Sequence, residues 1–139
     1  MVGLEVDKLS PLIFAAHPVV VTVGGSIYVR SIQKVNDDES LTFFCAIEEG
    51  IVLRVAQCVD MVQNLESDFA SVRQQIGPPA LVLGCDCILR YVESGQRGFR
   101  EELGRIFTEN NVIGFATYGE QYNAMHVNQT FTGVAIGSR

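Results

Sequence analysis

The chain has 139 residues, 47% of them hydrophobic and 19% charged, with a net charge of −6. That is long enough for one domain with its own core and too apolar for a disordered chain. No basic stretch is present to follow a phosphate backbone, which argues against nucleic-acid binding; no apolar run approaches the roughly 18 residues of a membrane span and no charged-then-apolar leader opens the chain, so a cytoplasmic protein without a membrane partner is expected.

Residues 1–17 read as a linker or the end of a helix from a missing N-terminal domain, with Leu9 to Ala16 as its last turn and His17-Pro18 as its stop. The domain itself is placed at 18–139. Val19 to Val23 is β-branched, Gly24-Gly25 is a tight-turn pair, and Ser26 to Val35 resumes β character, which predicts a hairpin. Asn36 to Ser40 is a polar loop. Leu41, Phe43, Cys45 and Ile47 alternate with Thr42, Phe44 and Ala46, which predicts a strand. After Glu48-Glu49-Gly50, the alternation of Ile51, Leu53 and Val55 predicts its hairpin partner.

The period then changes. Val62, Leu65, Phe69, Val72 and Ile76 recur on one face of a helix. Asp60 is placed to cap it, Gln63 completes a capping-box pattern, and Gly77-Pro78-Pro79 stops it. Ala80 to Gly84 predicts a buried strand and Ile88 to Val92 a helical turn. Arg97 to Glu109 predicts a second main helix with Phe99, Leu103, Ile106 and Phe107 inward, ended by Asn110-Asn111. Val112 to Tyr118 and Gln129 to Ile136 predict the last two strands. The order ββββ-α-β-α-ββ argues an α+β fold: a mixed, mostly antiparallel sheet with two main helices. The strands flanking the second helix are expected to be parallel if they share a sheet.

Chemistry concentrates in Gly114 to Thr130, where Tyr118, Glu120, Gln121, Asn123, His126, Asn128, Gln129 and Thr130 crowd a connection longer than a turn needs. The competing reading is a solvated loop whose amides satisfy its own backbone. Gly119 suggests a close backbone approach. A buried Glu120 would need a cation or several donors, with Arg30 and Arg90 as the candidate cations. The cysteines Cys45, Cys58, Cys85 and Cys87 read mostly as small buried apolar residues, since the one-residue spacer of Cys85-Asp86-Cys87 is short for a zinc knuckle. Cys85 or Cys87 with His126 and Glu120 is the only catalytic set that could be assembled, and nothing in the spacing supports it. No nucleophile elbow, Walker loop or dinucleotide fingerprint is present. A domain without catalytic residues is therefore expected.

The run G-F-A-T-Y-G-E-Q, followed by H-V-N-Q-T and an apolar strand, resembles the ending of FIST C-terminal domains. C-D-C-I-L-R before a helix, Y-V-R-S-I near the start and L-T-F-F-C-A-I-E-E-G in the middle resemble the same family in the same order, from about Pro18 to Gly137. The resemblance implies a bacterial sensory input domain that follows a FIST N-terminal domain. Its output would be a histidine kinase, a cyclic-dinucleotide enzyme or a chemotaxis receptor, and its ligand a small molecule such as an amino acid. Carried onto this chain, the ligand-binding residues are Arg30, Arg90, Tyr118, Glu120, His126, Asn128 and Gln129. An arginine would grip a carboxylate, Glu120 would take an ammonium, and the two amides would add hydrogen bonds. The alternatives are a haem-based nitric oxide sensor with His126 on the iron, and an interaction scaffold without a small ligand. Adjacent Met125 and His126 could not both ligate one iron from an ordinary strand. A half-module separated from its partner would expose an apolar patch and could form a homodimer through it.

Overall fold

The computed structural model describes residues 13, 14 and 17–138. Most of the helix end expected over Leu9 to Ala16 lies outside the described residues. Val19–Val23 (β1) and Ser26–Arg30 (β2) pair antiparallel across Gly24 and Gly25, whose φ values are 58° and 83°. A two-residue hairpin turn needs such positive φ, and glycine takes it without steric cost. The expected strand over Ser26 to Val35 breaks at Ser31. It resumes as Ile32–Val35 (β3), which pairs antiparallel with Leu41–Phe43 (β4).

The long strand expected through Ile47 ends at Phe43, and its expected hairpin with Ile51 to Val55 does not form. Only Arg54–Val55 (β5) is extended, and it pairs with β1, Val19 opposite Val55. Alternation shows that a segment lies on a half-buried surface, not which strand it joins. Here Ile51 and Leu53 pack on Val21, Tyr28 and Val127, so the apolar cover comes from the β1 side.

Met61–Ile76 (α1) starts as expected: Asp60 accepts the Gln63 N–H at 2.8 Å. It buries Met61, Leu65 and Phe69. Pro79–Cys87 (β6) leads directly into Ile88–Arg97 (α2), a full helix where only a turn was expected. The reason lies in what α2 buries, namely Arg90, Glu93 and Ser94. A helix whose inward face is polar shows no apolar period. Gly98 (φ 78°) closes it, its N–H bonded to the Ser94 carbonyl, and Arg100–Glu109 (α3) follows.

Val112–Thr117 (β7) runs parallel to β6, as the intervening helices require. Glu120–Tyr122 (β8) and Met125–Val127 (β9) form a small hairpin inside the segment expected to be irregular. Asn123 and Ala124 turn it at φ 49° and 60°. Phe131–Gly137 (β10) pairs antiparallel with β6, which gives a three-stranded sheet in the order β10-β6-β7. The fold is α+β with mixed, mostly antiparallel pairing and the three helices α1 to α3 over residues 17–138, the strand and helix order following the sequence reading.

One face of the β10-β6-β7 sheet carries Val82, Val112, Phe131 and Ala135 against Leu65, Phe69, Leu103 and Ile106 of α1 and α3. At about 1.5–3 kcal/mol for each large buried side chain, this cluster is the main source of stability in that half. The registers set Leu83 beside Ile113 and Val134, Cys85 beside Phe115, and Leu81 beside Ile136 on the other face. Leu83, Ile113, Phe115, Val134 and Ile136 are all exposed there.

Candidate functional site

A cleft of about 500 Å³ opens where β2, α1 and β10 meet. Its size falls in the range of small-molecule sites. Tyr28, Leu65, Phe69, Val72, Val127 and Phe131 give it apolar walls. Among the described residues that line it, Arg90 and Asp68 are the only charged ones.

Arg90 stands in the first turn of α2 and is only 9% exposed. Its Nε donates to Asp86 Oδ1 at 2.7 Å, one helical turn back at the end of β6. Burial pushes the Asp86 carboxyl above its usual range, and Arg90 opposes this. Asp86 is the only hydrogen-bond partner the guanidinium has among the described residues, and Nη2 is buried without one. A buried ion pair is weak as a source of stability, because desolvation offsets the attraction. An arginine that commits one nitrogen and faces a cleft is suited to bind an anion.

Gln129, the second expected residue on the cleft wall, accepts from Ser31 Oγ at 3.2 Å. Four others gather around the β8–β9 hairpin without lining the cleft. Glu120 is 2% exposed and satisfied by donors rather than by either arginine. The Thr117 hydroxyl donates to one carboxylate oxygen and the Thr130 hydroxyl to the other at 3.2 Å. Arg30 instead ties two elements together, its Nη1 donating to the His126 carbonyl at 2.8 Å while Nε stays unpartnered. Asn128 is 1% exposed, and neither end of its amide has a partner. Asn110, equally buried, has both ends satisfied, by Arg73 and the Ile106 carbonyl. Tyr118 lies outside this group and is 81% exposed.

His126 Nε2 is buried and unpartnered. A Cβ at Gly119 would overlap it, which is the close approach that Gly119 suggested. This packing leaves no space for iron at Nε2, so the site does not fit haem ligation through that nitrogen. Among the described residues, no group of three or more His, Cys, Asp or Glu could hold a metal ion.

Asp86, Asp68, Thr117 and Thr130 were not singled out from sequence as site residues. The Asp86–Arg90 spacing of four was a readable signal for the first. Leu65, Asp68, Phe69 and Val72 share one helix face, so the acid interrupts an apolar stripe, a weaker signal that also fits a solvated edge.

Fold and cleft together define an α+β domain with a cleft at the seam between a strand hairpin and a helix-backed sheet. The family model for the FIST C domain matches residues 1–123, and the chain belongs to that family. It is accordingly a domain of sensory signal transduction. The match takes in Gly119-Glu120-Gln121 and ends before Asn128-Gln129-Thr130. No curated protein and no solved structure matches the chain. No helix among the described residues is long and apolar enough to cross a membrane.

Proposed function

We propose that this domain is a cytoplasmic binding module, not an enzyme, and that it senses a small carboxylate such as an amino acid in the cleft beside Arg90. The carrying observation is the buried Arg90 guanidinium, the one cation among the described residues that line the cleft, held in place by Asp86 and short of partners. A charge-assisted hydrogen bond to a ligand carboxylate there is worth about 1.5–3 kcal/mol. The cysteines support binding over catalysis. Burial pushes the Cys87 thiol up, and Glu120 acts in the same sense, the opposite of what a nucleophilic thiolate needs. The test is a thermal-shift screen of wild type, Arg90→Lys and Arg90→Ala with amino acids and small carboxylates. Ligands that bind only the folded state must raise its melting temperature. A shift lost in Arg90→Ala and partly kept in Arg90→Lys supports the reading; an equal shift in all three removes Arg90 from the site.

A separate observation supports a protein partner. The outward face of the β10-β6-β7 sheet is apolar and uncovered, and the edge strand β7, V-I-G-F-A-T, carries no charge or proline to discourage pairing. For a member of this family, the occupant that fits is the FIST N-terminal domain, through which a kinase, cyclic-dinucleotide enzyme or chemotaxis receptor would be reached.

A further inference from the structure

Resting on the carboxylate reading, we propose that Asp68 sets the charge class of the ligand: the cleft takes a molecule with a carboxylate at Arg90, an apolar body and an ammonium at Asp68, and it rejects a dicarboxylate. Three observations lead there. The cleft wall holds one cation and one anion and is otherwise neutral among the described residues. The two charges are not each other's partner: Arg90 is paired with Asp86, and Asp68 has no ion pair among the described residues. Asp68 is also held in position, since Asn64 Nδ2, one turn earlier on α1, donates to its Oδ2 at 3.0 Å. That bond uses one carboxylate oxygen and leaves the other available.

The apolar part of the lining decides the rest. Leu65, Phe69 and Val72 lie on the same face of α1 as Asp68, and Phe131 packs against Phe69 with ring centroids 6.0 Å apart. A hydrocarbon body loses nothing by lying against these side chains, and a polar group placed on them would be desolvated without a partner. On the α1 wall, a carboxylate would meet Asp68 in a chain that already carries a net charge of −6, and the like charges repel. An ammonium there is attracted. Because Asp68 is exposed, the attraction is modest and screened by salt. Arg90 thus supplies the anchor and Asp68 the discrimination, a division that needs an attractive and a repulsive element in one site.

The experiment uses three probes of one length: 5-aminopentanoate, pentanoate and glutarate. They are titrated calorimetrically into wild type, Asp68→Asn and Arg90→Ala at low and high salt. Wild type is expected to bind 5-aminopentanoate roughly three- to tenfold more tightly than pentanoate, with glutarate the weakest, and to lose much of that order at high salt. Asp68→Asn should bring 5-aminopentanoate and pentanoate to similar affinities and admit glutarate, with pentanoate gaining slightly from the loss of an anionic neighbour. If wild type binds all three alike, with each lost in Arg90→Ala, the Asp68 assignment is overturned while the carboxylate reading stands. If no probe binds in an Arg90-dependent way, the carboxylate reading falls and this inference falls with it.

Discussion

Asp86 and Arg90 stand four residues apart across the junction of β6 and α2, joined Oδ1 to Nε at 2.7 Å. The strand ends and the helix begins between them, so the pair fixes the angle at which α2 leaves the sheet and the direction in which the guanidinium faces. This carboxyl is held above its usual range, mainly by burial. The folded state therefore binds the Asp86 proton more tightly than the unfolded chain does. An acid in that condition costs stability as pH rises past the unfolded value of about 3.9. Between about pH 4 and neutrality, urea unfolding should show wild type losing stability relative to Asp86→Asn. Parallel pH profiles would mean that burial does not penalise this carboxylate.

Glu120 is held by hydroxyl donors where Asp86 is held by a cation. With the Thr117 and Thr130 hydroxyls both directed at it, Glu120→Ala strands two polar groups in a site with almost no solvent access. The expected loss is on the order of 3 kcal/mol, since each buried unpaired group costs about 1–3 kcal/mol. Glu120→Gln keeps the shape; its oxygen can accept from one hydroxyl and its amide nitrogen can donate to the other, which turns round to accept, so it should cost less. Chemical denaturation of the two variants separates them; equal losses would mean that the charge, not the hydrogen bonding, holds this layer.

Gly84 and Gly114 sit side by side in the parallel pair. A Cβ at Gly114 would overlap the Gly84 carbonyl oxygen, and one at Gly84 would lie 2.6 Å from the Phe131 ring. At Gly114 the obstacle is backbone, which cannot swing aside as a side chain can. Gly114→Ala should therefore destabilise by about 1–3 kcal/mol or more, with folded protein recovered poorly. Wild-type stability in this variant would show that β6 and β7 can separate at no cost.

How far the sequence could be read follows from what each segment buries. α1 was fully legible because Leu65 and Phe69 recur at helical spacing behind an Asp60 cap. The glycine hairpin was legible because its turn chemistry is local. α2 was not, since its inward residues are Arg90, Glu93 and Ser94 and its boundary is set by one glycine. β5 was misassigned because pairing with β1 is a long-range choice, which alternation does not encode. Of the site residues expected from sequence, Arg90 and Gln129 line the cleft. Arg30, Glu120, His126 and Asn128 were also picked out, yet they pack around β8 and β9. Polar residues that bind and polar residues that fasten a hairpin look alike until burial is known. Asp68, on a helix face otherwise read as core, needed the cleft to give it meaning.

Phe115 gives the last test. It is 70% exposed on the face opposite the helices, beside Cys85 and two residues from Ile113, which is also exposed. Folding of the domain gains little from it, so Phe115→Ser should change unfolding stability by less than about 1 kcal/mol. If the FIST N-terminal domain covers this face, the same change removes a large apolar anchor from the interface, and such anchors carry about 2 kcal/mol or more of binding. Calorimetric titration of the N-terminal domain into wild type and Phe115→Ser should therefore show a loss of thirtyfold or so in affinity with the fold intact. Sedimentation of each chain alone reads the competing arrangement. A wild-type dimer that Phe115→Ser dissociates, with N-terminal binding unchanged, would assign the face to a second copy of this domain instead.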